Sequence, residues 1–245
     1  MPTIRWITTG AFFLAVPIFL LFSNVRIASL EARVYDYSFS HYDVEAVTGI
    51  DRPQLDRAAA EMVRYFEDDE PLLTTRVRIG GVEQALFSPR ETLHMRDVKQ
   101  LFQNVFFLQE VAFVYIVAYV TAVFLWARER SLRKLALQCL QAGLFTAVLM
   151  GLGAVAMLVG FDSIFREFHM LSFSNDFWEL DPTRDHLVQM FPQGFWFTVS
   201  VAVGVATIIE AVTLTALGYF VLSWLSQPEP RPRAARQRRT EARAP

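Results

Sequence analysis

Four long apolar stretches alternate with polar segments along the chain. They run over about residues 1–27, 101–126, 135–161 and 195–225. Each is long enough to cross a bilayer core as a helix, which requires about 20 residues. The last two exceed this minimum, so we expect these helices to tilt or to protrude. The pattern predicts an all-α integral membrane protein with four transmembrane helices.

The composition agrees with this prediction. Apolar residues make up 53% of the 245 residues, and 22 residues are Phe, which is unusual for a soluble domain of this size. The single cysteine, Cys139, lies within the third apolar stretch. One cysteine excludes a disulfide framework and a cysteine-based metal site.

The first apolar stretch admits a second interpretation, a cleaved signal peptide. Arg5 precedes its apolar part, as in such peptides. However, the stretch is long, contains Pro17 and lacks a small-residue cleavage site, so a retained helix is favoured. The orientation of the remaining helices is the same in both cases.

The positions of Lys and Arg predict the orientation in the membrane. The link 127–134 carries three arginines and a lysine, and segment 226–245 carries six arginines. Because such basic segments remain in the cytoplasm, both termini are expected there. Segments 28–100 and 162–194 are then outside. The segment 226–245 is also rich in Pro and has no apolar side chain larger than Ala, which predicts disorder.

Segment 28–100 is long enough to fold as a small α+β cap. Asp51 can cap a helix that begins near Pro53, and Gly80-Gly81 separates two short runs with the form of a β-hairpin. The sequence Ser88-Pro89-Arg90-Glu91 is a capping box with proline at the first helical position. We expect the helix that it begins to continue into the second transmembrane helix. The cap is therefore predicted as helix, hairpin and helix.

Segment 162–194 combines Phe and Trp with carboxylates, a composition typical of the lipid–water interface. Asp162 is predicted to cap a helix that carries His169. Asp181-Pro182 is predicted to begin another short helix. This second outer segment is thus expected to be a helical, aromatic loop.

Two features inside the predicted transmembrane helices concern packing. Gly143, Ala147 and Gly151 recur every four residues and predict a small-residue face for close helix contact. Glu210 lies near the middle of the fourth helix, where an ionisable group is costly and usually faces the bundle interior. We expect it to be protonated or hydrogen-bonded to another helix, and both a structural and a functional role stay open.

The candidate chemistry lies in the outer segments. His94 is at the root of the second transmembrane helix, and His169 lies just beyond the end of the third. A histidine titrates at about pH 6.5 and is suited to carry protons, and a carboxylate can fix its tautomer. Motifs of zinc proteases, serine hydrolases and phosphate-binding loops do not occur. A metal site with two histidines stays open, without a spacing signature.

A series of motifs resembles the bacterial lipoprotein intramolecular transacylase family. The motifs are Leu93-His94-Met95-Arg96-Asp97-Val98-Lys99, Phe168-His169, Phe173-Ser174-Asn175-Asp176-Phe177-Trp178, Leu180-Asp181-Pro182, Asp185 and Met190-Phe191-Pro192. The resemblance spans nearly the whole chain and includes the helix number and the cap. It implies an enzyme of the bacterial cytoplasmic membrane with its active site at the extracytoplasmic face.

The resemblance also implies a reaction and its residues. The sn-2 acyl chain of a diacylglyceryl-modified lipoprotein would move to the α-amino group of the N-terminal cysteine, giving a lyso-form lipoprotein. His94 and His169 would be the catalytic acid and base, without a covalent acyl-enzyme. Supporting candidates are Arg96, Asp97, Lys99, Asn175, Asp176, Trp178, Asp181 and Asp185. The expected partners are the lipoprotein and membrane lipids, with no nucleic acid, cofactor or metal ion.

Two alternatives stay open at this point. One is another membrane-interface lipid hydrolase or acyltransferase, or a metal-dependent hydrolase, that uses the same histidines. The other is a non-catalytic membrane partner or carrier protein, an interpretation favoured by Glu210.

Overall fold

The described part of the chain consists of helices and one β-hairpin. A computed structural model describes residues 2–127 and 131–227. In chain order the elements are α1 (Pro2–Leu30), α2 (Ala32–His41), α3 (Val44–Thr48), α4 (Arg52–Glu67), β1 (Arg76–Ile79), β2 (Val82–Ala85), α5 (Pro89–Ala127), α6 (Ser131–Ser172), α7 (His186–Met190) and α8 (Gln193–Leu225). Most of the predicted basic tail, residues 228–245, and the centre of the link 127–134 lie outside the described residues.

Four helices, α1, α5, α6 and α8, are long and apolar enough to cross a membrane. The four predicted transmembrane helices are therefore confirmed. Helix α1 packs against the other three. Phe12 of α1, for example, stacks on Tyr119 of α5 with ring centroids 4.8 Å apart. The first apolar stretch is thus an integral part of the bundle.

Helices α6 and α8 approach each other closely at two glycines. A Cβ atom on Gly143 would lie 2.6 Å from the carbonyl oxygen of Ala211, and one on Gly218 would lie 2.7 Å from that of Ala136. No side chain larger than hydrogen fits these positions without moving a helix. At Gly151 a Cβ would meet nothing within 4 Å. Of the two glycines in the predicted small-residue face, only Gly143 makes a close helix contact.

Glu210 is bound to another helix, which is one of the two states expected for it. Its Oε2 accepts a hydrogen bond of 2.9 Å from Asn24 Nδ2 of α1. The same Nδ2 lies 3.2 Å from Thr207 Oγ1. Because an unpaired polar group inside a bilayer costs several kcal/mol, this contact holds α1 and α8 in register. Glu210 therefore has a structural explanation.

The cap helix and hairpin follow the local signals in the sequence. Asp51 precedes α4, and its Oδ1 accepts a hydrogen bond of 3.1 Å from Gln54 N. Strands β1 and β2 pair antiparallel, with Ile79 opposite Val82. The two glycines between them have φ values of 59° and 85°, the left-handed conformation that a two-residue hairpin turn requires.

Helix α5 begins at the predicted capping box. Ser88 N donates to Glu91 Oε2 at 2.7 Å, and Glu91 N donates to Ser88 Oγ at 3.3 Å. The helix then continues for 39 residues, which corresponds to about 58 Å. Since a bilayer core is about 30 Å thick, α5 extends well beyond it. Its first turns belong to the cap.

The two helices predicted for the segment before α8 had different outcomes. A helical part that carries His169 does begin near Asp162, because the backbone of α6 is non-helical at Gly160, with φ −157° and ψ 51°, and a second helical part follows to Ser172. The Oδ1 of Asp162 accepts a hydrogen bond of 3.0 Å from Gln193 Nε2 of α8. Asp181 begins a turn instead of a helix: its Oδ1 accepts hydrogen bonds from Thr183 N at 2.9 Å and Oγ1 at 2.7 Å. Such a side-chain bond two residues onward competes with helix formation. The short helix α7 begins later, at His186.

The cap has a hydrophobic core of its own. It includes Leu55 of α4, Val77 of β1, Leu86 before α5 and Met190 of α7, all almost fully buried. The segment before α8 therefore packs into the same core as α4 and the hairpin. We refer to the end of the bundle that carries α2–α4, the hairpin and α7 as the cap end. It is also where α5 begins and α6 ends.

Candidate functional site

Two histidines from different helices meet at the cap end. The rings of His94, in the second turn of α5, and His169, in the last turn of α6, have centroids 6.1 Å apart and planes inclined at 34°. Their exposed fractions are only 7% and 8%. Two positions separated by 75 residues in the sequence thus form one buried pair.

The tautomer of His169 follows from its hydrogen bond. Its Nδ1 lies 2.6 Å from the carbonyl oxygen of Phe165. Because a carbonyl oxygen can only accept, Nδ1 carries the hydrogen. In the neutral ring, Nε2 then holds the free lone pair and is the atom that can take up a proton.

Aromatic rings surround His169. The centroids of Phe165, Phe168, Phe173 and Trp178 lie 4.4, 5.3, 5.7 and 5.1 Å from that of the imidazole. Burying a charge among apolar groups costs free energy unless a partner compensates it. This environment therefore favours the neutral imidazole, which is the form that acts as a base. Trp178, predicted as a site residue, lies directly at the pair.

His94 has an unused nitrogen. Its Nδ1 is buried and has no hydrogen-bond partner among the described residues. The ring packs against Phe173 in a T-shaped contact with centroids 5.2 Å apart. A buried polar atom without a partner costs about 1–3 kcal/mol, so this nitrogen is available to a ligand that offers a partner.

The predicted residues Arg96, Asp97 and Asn175 form a hydrogen-bonded chain beside the pair. Asp97 Oδ2 accepts a bond of 2.8 Å from Asn175 Nδ2, and Asp97 Oδ1 accepts one of 3.1 Å from Arg96 Nη2. Asp97 lies one helical turn after His94, on the same face of α5. These hydrogen bonds therefore fasten the segment after α6 to α5 next to the histidines.

Arg90 is a candidate site residue that the sequence prediction did not include. It lies one turn before His94 on the same face of α5. Its Nη2 donates to the main-chain carbonyl of Asp176, whose carboxylate lies 3.9 Å away. The Nε of Arg90 is buried and has no partner among the described residues. The spacing of four residues from His94 was the signal that could have indicated it.

Lys99 is not at the histidine pair. Its Nζ donates hydrogen bonds of 2.8 Å to Asp68 Oδ1 and to the Glu70 carbonyl oxygen, and it lies 4.2 Å from the centroid of the Tyr65 ring. The bond from Lys99 lowers the pKa of the Asp68 carboxyl. All three contacts are to the cap, so Lys99 fastens α5 to the end of α4.

Asp181 and Asp185 shape the segment before α7. Asp185 Oδ2 accepts a bond of 2.7 Å from Asp181 N. The bonds from Thr183 lower the pKa of the Asp181 carboxyl, which keeps that carboxylate ionised. Among the described residues, their side-chain hydrogen bonds stay within this segment, and none reaches a histidine.

Glu91 is a second residue absent from the predicted site. Its side chain is 1% exposed, and its Oε1 accepts a hydrogen bond of 2.6 Å from Leu187 N. Together with the bond from Ser88 N, two main-chain donors face this carboxylate. Glu91 lies one turn before His94 and joins the start of α5 to α7.

Metal ligands do not gather in the described part of the chain. Over residues 2–127 and 131–227, no group of three or more His, Cys, Asp and Glu side chains could hold a metal ion. The rings of Phe173 and Trp178 contact the histidine pair, and Asp97 lies one turn from His94 on α5.

Comparison with known proteins agrees with the architecture. A solved structure of the membrane integral lipoprotein intramolecular transacylase from Bacillus cereus superposes with a TM-score of 0.73, covering 91% of this chain and 98% of that one at 15% identity. Two variants of that protein, in which one histidine is replaced by arginine or by alanine, superpose with TM-scores of 0.71 at 16% identity. They cover 92% and 91% of this chain, and 96% and 95% of theirs.

The family comparison identifies the chain. No curated protein sequence matches it. The family model described as lipoprotein intramolecular transacylase matches residues 11–196. This range contains both histidines, the cap and the whole segment between α6 and α8, and it makes up well over half of the chain. The chain belongs to the lipoprotein intramolecular transacylase family.

Proposed function

We propose that His94 and His169 are the acid–base pair that moves the sn-2 acyl chain of a diacylglyceryl lipoprotein to the α-amino group of its N-terminal cysteine. The product is a lyso-form lipoprotein that is N-acylated and S-monoacylglycerylated. The observation that carries this proposal is the buried histidine pair, with ring centroids 6.1 Å apart, in a membrane enzyme of the transacylase family.

The first step is removal of a proton from the amine. An α-ammonium group has a pKa of about 7.7–8.0, so a neutral imidazole is matched to deprotonate it near neutral pH. His169 Nε2 is suited to this role because Nδ1 is bound to the Phe165 carbonyl. The free amine then attacks the ester carbonyl, forming a C–N bond.

The second step breaks the bond between the acyl carbon and the glyceryl oxygen. The leaving oxygen needs a proton, and the amide nitrogen must lose one. His94 is suited to take the proton that the nitrogen loses in this step and to pass it to the leaving oxygen, since its ring lies beside His169 and its Nδ1 has no partner among the described residues. Of the two protons that the ammonium group loses, one thus goes to the glyceryl oxygen and the other passes from His169 to water, so both histidines return to the neutral state.

A covalent acyl-enzyme is unnecessary because the amine and the ester belong to one substrate. Holding them together supplies the proximity that an enzyme nucleophile would otherwise provide. The single cysteine, Cys139, is 30 residues before His169 along α6, about 45 Å of helix away. It cannot reach the histidine pair.

The negative oxygen of the tetrahedral intermediate needs hydrogen-bond donors. Arg90 is a suitable donor, because its Nε is buried and has no partner among the described residues, while its Nη2 is anchored on the Asp176 carbonyl. Asn175 Nδ2 has one further hydrogen besides that bound to Asp97. Lys99 is occupied by Asp68 and by the Glu70 carbonyl.

We also propose that the cap end faces away from the cytoplasm of a bacterial cell. Helix α5 ends at Ala127 and α6 begins at Ser131, at the opposite ends of these helices from the histidines, and the sequence there is basic, which supports this orientation. Boundary lipids would contact the exposed apolar faces of the four helices.

The proposed function has a direct test. We expect a strain that makes only diacyl lipoproteins to produce lyso-form lipoproteins when it expresses this chain. Mass spectrometry of the lipoprotein N-terminus would detect the N-acyl group. Free α-amino groups in cells that contain the folded protein would contradict the proposal. Activity lost on treatment with a chelator would instead support a metal-dependent hydrolase.

Arg90 gives a second test of the proposed chemistry. Arg90→Lys keeps a positive charge but loses the planar fork, so we expect kcat to fall by about 10- to 100-fold with little change in KM. Kinetics with a synthetic diacylglyceryl lipopeptide would measure both constants.

The matched control for this test is Arg33→Lys. The Arg33 side chain is 88% exposed, and its one partner among the described residues is Glu31 near the start of α2, so its replacement should leave both constants within about twofold. An Arg90→Lys variant with unchanged kcat would exclude Arg90 as a donor to the oxyanion.

A further inference from the structure

A cavity of about 290 Å³ lies beside the kink in α6, where α8 begins. Phe161 and Asp162 of α6 line it together with Gln193, Gly194 and Phe197 of α8. Its volume is close to the lower end of the range of small-molecule pockets, about 300–1,000 Å³. None of the site residues described above lines it.

A continuous row of rings joins this cavity to His169. The ring of Phe197 lies 5.2 Å from that of Phe161, and Phe161 lies 5.7 Å from Phe165. Phe165 in turn lies 4.4 Å from His169. On α6 these side chains are four residues apart and share one face of the helix. We call Phe161, Phe165 and Phe197 the aromatic row.

The aromatic row faces the protein and not the surrounding lipid. Its three side chains are half-buried, whereas residues 162–164 and 166–168 of the same helix are exposed. From Phe161 to His169 the helix rises about 12 Å. An extended palmitoyl chain is longer than this distance. The row is thus a sheltered apolar surface of suitable length that ends at a reacting group.

The chemistry along the row selects one kind of ligand. At one end stands Nε2 of His169, and between it and the cavity the row offers only aromatic rings. A bound molecule therefore needs a reactive polar head and a long apolar body. A fatty acyl ester has both, with its carbonyl at the histidine.

We propose that the aromatic row and the cavity bind the acyl chain that is transferred. This inference rests on the proposed function and adds how the enzyme selects the chain. The carbonyl carbon lies at the histidine pair, the chain follows Phe165 and Phe161, and its end enters the cavity at Phe197. Chains too short to reach the cavity gain nothing from it, so the cavity determines the preferred chain length.

The test is a competition between two substrates. The purified full-length protein in detergent receives synthetic lipopeptides that carry palmitoyl or octanoyl at sn-2, and palmitoyl at sn-1 in both. Mass spectrometry gives the ratio of the two N-acylated products, which does not depend on the amount of active enzyme. Phe197→Trp and Phe161→Trp each add bulk at the cavity and leave less room for the chain end, so each should lower the palmitoyl-to-octanoyl ratio at least about fourfold, the effect of excluding one methylene.

The matched control is Phe145→Trp. Phe145 is also on α6, but 44% of it is exposed on the apolar surface, so this change should leave the ratio within twofold. An unchanged ratio in both cavity variants would overturn the inference. If the unaltered protein acylates neither substrate, the proposed function itself fails.

Discussion

Replacing His169 by glutamine is expected to lower the rate of acyl transfer by about 10²- to 10⁴-fold, the contribution of a general acid or base. Glutamine is polar and of similar size, but its amide cannot accept a proton near neutral pH. The loss should appear in kcat, because the ester and the acyl chain are still bound. Kinetics with the synthetic diacylglyceryl lipopeptide, combined with thermal unfolding in detergent, would separate lost chemistry from lost folding.

The same replacement at His94 distinguishes a pair from two independent groups. If the histidines pass protons in one reaction cycle, His94→Gln should have an effect of similar size. The double variant should then lose little more than either single variant, because residues that act as a unit are not additive. Additive losses would indicate separate roles. Activity close to the original in both single variants would refute the acid–base proposal.

His41 provides the matched control for these variants. It is exposed at the end of α2, where its ring stacks on Tyr37 with centroids 5.0 Å apart. We expect His41→Gln to keep the rate within about twofold. A large loss would show that histidine replacements disturb the cap generally.

The elements with strong local signals were predictable from the sequence. The four transmembrane helices follow from length and hydropathy, and the hairpin follows from two glycines that adopt left-handed φ values. Helices α2 and α3 lacked such signals. The residue before α2 is Glu31, which is not a favoured N-cap, and Asp43 before α3 makes no side-chain cap bond. Glu31 Oε1 does accept a hydrogen bond of 3.2 Å from Arg33 N, but its residue type does not mark a helix start in the sequence. Short helices of this kind depend on tertiary packing, which local patterns do not reveal.

The functional site was predictable only in part. The two histidines could be identified because each lies where a predicted transmembrane helix leaves the membrane. The bond between Asp97 and Asn175 joins residues 78 positions apart, so no spacing in the sequence reveals it. Lys99 shares its motif with His94, but tertiary contacts turn it towards Asp68. A sequence motif indicates a neighbourhood, and the helix geometry decides which of its members face the site.

Packing between α6 and α8 leads to a second prediction with a large expected effect, this time on the stability of the protein. Gly143→Leu should lower the free energy of unfolding by about 3 kcal/mol or more, because its Cβ would lie 2.6 Å from the Ala211 carbonyl oxygen and 2.5 Å from Thr215 Oγ1. Main-chain atoms cannot yield as a flexible side chain does, so the two helices must separate. Gly143→Ala should show a smaller loss of the same kind, since even one carbon atom is too close.

Gly151→Leu is the control that isolates this contact, because it adds the same side chain to the same helix two turns further on. A Cβ atom at Gly151 meets nothing within 4 Å, so we expect the free energy of unfolding to stay within about 1 kcal/mol of that of the original protein. Thermal unfolding in detergent would measure both variants. Equal losses at the two positions would contradict the close contact and would mean that any larger side chain weakens α6. A loss confined to Gly143 would show that close main-chain contact holds α6 and α8 together. This contact fixes the part of α6 before Gly160, and the part after Gly160 carries His169.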